Sequence, residues 1–144
     1  MNVFELALGD YIISTDKARL DLELIHDYLS HQSYWAEGRS FAAVQTSIEH
    51  SLCLGVYHNG QQVGFARVVT DYATFAWLCD VYVLESHRGR GLGKWLVESA
   101  VAHPELQTVR RFLLATSNAH DLYRRYGGFE TLQAPEKWME RRRA

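Results

Sequence analysis

The feature that most constrains this chain is a glycine-rich turn between a strand-like run and a helix-like run. The turn reads Arg88-Gly89-Arg90-Gly91-Leu92-Gly93-Lys94, after the apolar residues 81–84 and before the amphipathic residues 92–102. Glycine permits tight turns and a close approach of the backbone to a ligand. The first N–H groups of the following helix have no partner inside that helix, so they point into the turn. This arrangement, with the positive charge of its three basic residues, predicts a phosphate site.

Two common phosphate-binding motifs do not fit the turn. A P-loop requires glycine where Arg88 stands and a hydroxyl residue where Trp95 stands, and the dinucleotide fingerprint requires glycine at Lys94. The pattern Arg/Gln-x-x-Gly-x-Gly is satisfied by Arg88, Gly91 and Gly93. It resembles the acetyl-CoA pyrophosphate loop of the GNAT superfamily of N-acetyltransferases. The alternative is a β-to-α turn that binds no ligand.

A second stretch, residues 118–129 with the sequence NAHDLYRRYGGF, resembles the other GNAT signature. In that signature a helix carrying Asn and Tyr ends at Gly-Phe and leads into a final strand. The two motifs stand in the expected order, about 25 residues apart. Gly127-Gly128 replaces the usual single glycine, which leaves the entry into the last strand open. The resemblance covers residues 75–129 well and is weak over residues 1–50.

The resemblance implies an α/β (α+β) fold, with residues 1–144 as a single domain. Its central sheet is mixed and mostly antiparallel, with helices on both faces, and the cofactor lies in a splay between two parallel strands. Acetyl-CoA is then the co-substrate. The residues expected to bind it are Val81, Val83, Arg88, Gly89, Arg90, Gly91, Leu92, Gly93, Lys94, Asn118 and Tyr123. The two valines also suit a core, and Asn118 also suits the N-cap of its own helix.

Local patterns predict the order of the elements. Asn59-Gly60 is a strong hairpin signal, and Asp16 and Ser40 are expected to cap two helices. The strand expected at 111–115 must run parallel to the one expected at 74–84, because a helical crossover joins them. Strands are expected at residues 11–14, 52–57, 63–70, 74–84 and 111–115.

Composition narrows the class of protein. The 144 residues carry 15 basic and 17 acidic side chains, a net charge of −2, which gives no overall attraction to nucleic acid or to anionic membranes. We find no signal-like segment and no apolar run of about 18 residues, so a cytoplasmic location is expected. Cys53 and Cys79 suit small buried apolar positions, and the histidine spacing predicts no metal site. The oligomeric state is left open, with a homodimer as one alternative.

The resemblance implies an acyltransferase that moves an acetyl group to the primary amine of a small molecule or peptide, by direct transfer in a ternary complex. Tyr123 matches the tyrosine that protonates the departing thiolate, although it could instead pack and only hold the sulfur. One alternative function is a CoA-binding regulatory domain without turnover. Another is a nucleic-acid module that uses the basic tail at 141–143.

Asp80 interrupts the otherwise apolar run at 76–83, which makes it our candidate for the general base. The alternative is a structural ion pair with Arg67 on the preceding strand. GNAT acceptor pockets commonly use the connection between the first two helices, here residues 31–39. Tyr34 and Trp35 in this connection are therefore the predicted substrate-binding residues, unless they close the core beneath it.

Overall fold

The computed structural model describes residues 2–143, and over these it forms one six-stranded sheet in which each strand pairs with its neighbours in the sequence. All pairs are antiparallel except the last, which is parallel. The strands are β1 (Glu5–Leu8), β2 (Tyr11–Ser14), β3 (Leu52–His58), β4 (Gln61–Thr70), β5 (Phe75–Val83) and β6 (Arg111–Leu113). The α-helices are α1 (Leu22–His31), α2 (Phe41–Glu49), α3 (Leu92–Val101) and α4 (His120–Gly127). The predicted mixed, mostly antiparallel sheet is confirmed.

Helices cover both faces of this sheet, and each face has its own core. On one face α3 packs Leu96 and Ala100 against strand residues such as Leu54. On the other face α1 and α2 pack Ile25 and Val44. The two cores follow from the alternation of side chains along each strand, which sends successive residues to opposite faces. None of the helices within residues 2–143 has the length and apolarity needed to cross a membrane.

Local turn and capping signals are confirmed in part. Asn59 and Gly60 connect β3 to β4 with φ of 51° and 79°, the left-handed geometry that a two-residue hairpin turn needs. Ser40 caps α2 by accepting the Ala43 N–H. Asp16 caps only a short 3-10 helix at Lys17–Arg19, whereas the cap of α1 is Asp21, which accepts the Leu24 N–H.

Two features of the chain's ends differ from expectation. β1 precedes the first predicted strand and pairs with it as a hairpin. The final strand implied after α4 is wrong for the described residues, because no strand occurs between 129 and 143. The double glycine shapes the end of α4. A Cβ at Gly127 would lie 2.7 Å from the Phe129 ring, and Gly128 ends α4 with φ of 71°.

Candidate active site

The centre of the candidate site is a β-bulge in β5. In the pairing with β4, Phe65 faces Tyr82 and Arg67 faces Cys79, so two residues of β5 lie opposite Ala66 alone. The first of them, Asp80, has φ of 52°, a left-handed conformation that is uncommon for residues other than glycine. A bulge of this kind bends the strand and redirects its side chains.

The extra residue changes the face to which β5 residues point. Ala76 and Leu78 belong to the core beneath α3, but Tyr82 belongs to the core beneath α1 and α2. Val83 returns to the α3 side. With strict alternation, Asp80 and Tyr82 would point to the same face as Leu78, towards the α3 core. The bulge turns them to the opposite face.

A cleft opens where β5 and β6 separate. The two parallel strands pair only from Phe75 with Arg111 to Trp77 with Leu113, while β5 continues to Val83. Residues 77–83 form one wall of the cleft and residues 113–116 form another. The cleft has a volume of about 1250 Å³, larger than is usual for a single drug-sized ligand. The predicted splay between two parallel strands is confirmed.

The glycine-rich turn borders this cleft. Gly91 is the N-cap of α3 with φ of 79° and no capping side chain, and the Trp95 N–H makes the first bond to its carbonyl. Gly89 has φ of 78°, so both positions require left-handed backbone. Gly93 does not have a positive φ, and a Cβ there would meet no atom within 4 Å. Neither conformation nor packing explains Gly93, whereas a ligand lying against the turn would.

The basic residues of the turn are placed differently from one another. Arg88 lines the cleft but donates from Nε to the Val83 carbonyl and from Nη2 to the Tyr28 hydroxyl, both at 2.9 Å. It therefore fastens the turn to β5 and α1. Arg90 and Lys94 do not line the cleft, and the Lys94 ammonium lies 4.9 Å from the centre of the Tyr126 ring. The remaining predicted residues of the turn, Gly89, Gly91, Leu92 and Gly93, line the cleft.

Tyr123 and Asn118 line the cleft from the α4 side. Tyr123 is half-buried, and this burial raises the pKa of its phenol to about 12. The phenol therefore stays protonated at neutral pH. The alternative that Asn118 caps its own helix is wrong, because the N-cap is Ala119 and no side chain caps it. The Thr116 hydroxyl instead accepts the Ala119 N–H at 3.1 Å.

Asp80 accepts hydrogen bonds on both carboxylate oxygens. Trp35 donates its indole N–H to Oδ1 at 2.9 Å, and Arg39 and Arg67 donate to Oδ2 at 2.8 and 2.9 Å. The Asp80 side chain is 1% exposed. The ion pair with Arg67 that the structural alternative requires is present. A general-base role stays a prediction that these contacts do not favour, because the carboxylate is buried and already binds three donors.

The predicted substrate-binding residues lie at the opening of the cleft. Tyr34 is 56% exposed and Trp35 39% exposed, and their rings meet edge to face at 5.2 Å. The Tyr34 hydroxyl accepts the Ser117 N–H at 3.0 Å, which joins the α1–α2 connection to the segment after β6. The alternative that this pair closes the core does not match its exposure, since the buried residues there are Ser33 and Ala36.

Other residues that line the cleft had no signal in the sequence. Arg39 stands within the predicted acceptor segment but was not singled out, and Tyr28 comes from a helix predicted only for its core packing. Trp138 and Arg142 come from the segment after α4, and the Trp138 ring lies 5.6 Å from the Arg111 guanidinium. Such proximity depends on tertiary structure, so spacing along the chain does not reveal it.

Known proteins resemble this chain in sequence and fold. Residues 22–129 match the family model described as the acetyltransferase (GNAT) family. A curated protein of Gibberella zeae, provisionally named an acetyltransferase, is 35% identical over 135 residues, which cover 78% of this chain and 75% of that protein. The crystal structure of a provisionally assigned GNAT acetyltransferase from Xanthomonas campestris pv. campestris is 51% identical, with a TM-score of 0.90 over 94% of this chain and 95% of that one. A predicted acetyltransferase of Clostridium acetobutylicum, solved with acetyl-CoA, shares the fold at a TM-score of 0.57 and 13% identity, over 98% of this chain and 95% of that one.

Proposed function

The chain belongs to the GNAT family of acetyltransferases, and we propose that it transfers the acetyl group of acetyl-CoA to the primary amine of a small molecule or peptide. Membership of this family makes the protein an acyltransferase enzyme. The observation that carries the proposal is the cleft between β5 and residues 113–116, with the glycine turn of α3 at its border.

The residues of the cleft suit this co-substrate. A pyrophosphate fits the free N–H groups at the start of α3, where Gly93 leaves room that neither packing nor conformation requires. Beyond Trp77 the β5 backbone has no β6 partner, which leaves peptide groups available to an extended arm near Val81 and Val83. Arg88 keeps its charge beside the turn while holding the turn in place. The acetyl-CoA named with the Clostridium acetobutylicum structure supports this choice.

Acetyl-CoA, when bound, supplies an activated thioester. We assign to Tyr123 the donation of a proton or hydrogen bond to the sulfur, because it lines the cleft and its phenol is protonated at neutral pH. A lysine-like amine must also lose a proton, which costs about 4.6 kcal/mol at neutral pH given a pKa of about 10.4. Asp80 is the acidic residue predicted to take that proton, but its burial and its three hydrogen-bond donors favour the alternative that it only positions its neighbours.

Direct transfer is favoured over a covalent acetyl-enzyme. A covalent route needs a reactive nucleophile, and Cys79 is a thiol that lines the cleft. Burial raises the pKa of Cys79 to about 12, so almost none of it is thiolate at neutral pH. Cys53 is also buried, with a pKa raised to about 11. We therefore propose attack by the acceptor amine itself.

The test is free-thiol release from acetyl-CoA with a panel of amines, combined with mass spectrometry of the acetylated products. We expect thiol release that requires both acetyl-CoA and an amine, and a product heavier by one acetyl group. A regulatory domain without turnover would bind acetyl-CoA and release no thiol with any amine. Salt-sensitive DNA binding without turnover would support the nucleic-acid alternative.

A further inference from the structure

We propose that the acceptor of this enzyme carries an anionic group, a carboxylate or a phosphate, and that Arg39 binds it. The inference rests on the proposed function, because it names the substrate class of the same cleft. It starts from a charge imbalance around Asp80. One buried carboxylate is paired with two guanidinium groups, those of Arg39 and Arg67.

The two arginines are not equivalent. Arg67 is 12% exposed and uses two nitrogens, donating from Nε to Asp80 and from Nη1 to the Ser51 hydroxyl. Both arginines line the cleft, and Arg39 is the more exposed of the two at 26%. Among residues 2–143 the Arg39 side chain makes a single hydrogen bond, from Nη1 to Asp80. Arg67 therefore uses two of its nitrogens within the protein, whereas Arg39 keeps several N–H donors that no described residue accepts.

The other charges around the cleft do not remove this imbalance. Glu140 and Arg142 have opposite signs and offset each other, and Arg88 belongs to the glycine turn. The surplus positive charge thus stays with Arg39, in a cleft where a partly desolvated charge is costly without a partner. A planar guanidinium with free nitrogens matches a carboxylate or phosphate, which it can bind through two parallel hydrogen bonds.

The position of Arg39 suits an acceptor rather than the co-substrate. It lies in the α1–α2 connection with Tyr34 and Trp35, whose exposed rings offer an apolar surface beside it. Through Asp80 it is tied to the β5 bulge, next to Val81 in the strand proposed for the acetyl-CoA arm. An acceptor with an apolar body and an anionic group fits this surface. Polycationic amines do not, because two guanidinium groups repel them.

Matched acceptor pairs test the proposal. Tryptophan is compared with tryptamine, phenylalanine with phenethylamine, and O-phosphoethanolamine with ethanolamine, using thiol release at saturating acetyl-CoA. The wild type should prefer the anionic member of at least one pair by about 10-fold or more in kcat/KM, through KM, as charge-assisted hydrogen bonds lead us to expect. The carboxylate and phosphate pairs distinguish the two anions.

Variants connect the preference to Arg39. In Arg39→Gln the ratio within each pair should fall towards one, and Arg39→Lys should retain part of it. The control is Arg19→Gln, since Arg19 also pairs with one carboxylate at partial exposure but does not line the cleft. It should keep the wild-type ratio. A wild type that prefers the uncharged members, or a ratio that survives Arg39→Gln in folded protein, overturns the proposal.

A binding measurement keeps this test separate from turnover. Indole-3-propionate and indole-3-propanol lack the amine, so calorimetry with them needs no reaction. The propionate should bind the wild type about 10-fold or more tightly than the alcohol, and Arg39→Gln should lose this difference. Equal binding of the two compounds contradicts the inference about Arg39. Anion-selective binding without thiol release for any amine would support it and contradict the proposed function instead.

Discussion

Two regions of the cleft work by different means. The glycine turn before α3 offers backbone N–H groups, and its key positions, Gly89, Gly91 and Gly93, lie within five residues of one another. The network at Asp80 offers side chains, which come from the α1–α2 connection, β4 and β5. The turn is local and open, whereas the network is assembled from distant segments and buried.

The difference predicts how each region responds to mutation. A change in the turn alters the space that a ligand would occupy and leaves the core untouched, so binding should suffer more than folding. A change in the network leaves a buried charged partner uncompensated, so folding should suffer with or before activity. Substitutions in the two regions should therefore separate binding from stability.

The largest effect is expected for Gly91→Glu. It places a carboxylate where phosphate is proposed to bind, and acetyl-CoA affinity should fall by about 10³-fold or more, since both charge repulsion and lost backbone contacts oppose binding. The φ of 79° adds strain of roughly 1 kcal/mol for a residue with a Cβ. Isothermal titration calorimetry on folded protein measures the affinity.

Gly60→Glu is the matched control for that variant. Gly60 also has φ of 79°, and a Cβ there also meets no atom within 4 Å, but it lies in the β3–β4 hairpin away from the cleft. It should show a similar loss of stability and normal acetyl-CoA binding. Equal affinities for acetyl-CoA in the two variants would show that the turn is not part of the binding site.

Asp80→Asn should have its main effect on stability. The substitution leaves Arg67 and Arg39 facing a neutral amide, and breaking a buried pair costs about 3–5 kcal/mol. Thermal unfolding should show a melting temperature lower by roughly 10 °C. Asp121→Asn is the control, because Asp121 pairs with Arg124 at an exposed site, and we expect little change there.

The same variant separates the two roles of Asp80. A lost general base matters less once the amine is neutral, so a base role predicts a kcat/KM deficit that shrinks as pH rises towards the pKa of the amine. A positioning role predicts a deficit that stays constant with pH. Our account expects the constant deficit. A shrinking deficit with a normal melting temperature would contradict it and establish the base.

Tyr123→Phe should lower kcat by about 10²-fold and leave acetyl-CoA affinity within a few-fold, since only the hydroxyl is removed. Tyr126→Phe on the same helix is the control, because Tyr126 does not line the cleft. Stopped-flow or steady-state thiol release measures kcat for both variants. An unchanged kcat in Tyr123→Phe would leave this residue a packing role only.

The raised pKa of Tyr123 adds a pH dependence. The acid must be protonated to act, and its pKa in the folded protein is about 12. Deprotonation of Tyr123 should therefore leave kcat unchanged between about pH 8 and pH 10. It should lower kcat only as the pH approaches the raised pKa. A decline centred near pH 10 that disappears in Tyr123→Phe would show that burial does not shift this group as described.

The smallest effect is expected for Tyr34→Phe. The change removes the acceptor for the Ser117 N–H but keeps an exposed ring at the cleft opening. We expect a stability loss below about 1 kcal/mol and a few-fold rise in KM for the acceptor, with KM for acetyl-CoA unchanged. A rise in the KM for acetyl-CoA instead would show that Tyr34 contributes to binding acetyl-CoA rather than the acceptor.

The same contrast explains what the sequence could predict. The glycine turn, the Asn59-Gly60 hairpin and the Ser40 cap depend on neighbouring residues, and the structure contains each of them. The β5 bulge could not be predicted, because it is defined by the register between two strands. Nor could the approach of Arg39 and Trp35 to one carboxylate, which requires the α1–α2 connection to fold over β5.

The most direct test of the central claim is the location of bound acetyl-CoA, which amide NMR titration of the wild type can map. The account predicts large shifts for the N–H groups of Gly89, Gly91 and Gly93 and for those of β5 around Val81, with the Gly60 amide unaffected. All should saturate with the affinity found by calorimetry. Saturable binding that leaves the three glycine amides unshifted would contradict the assignment of this cleft to acetyl-CoA.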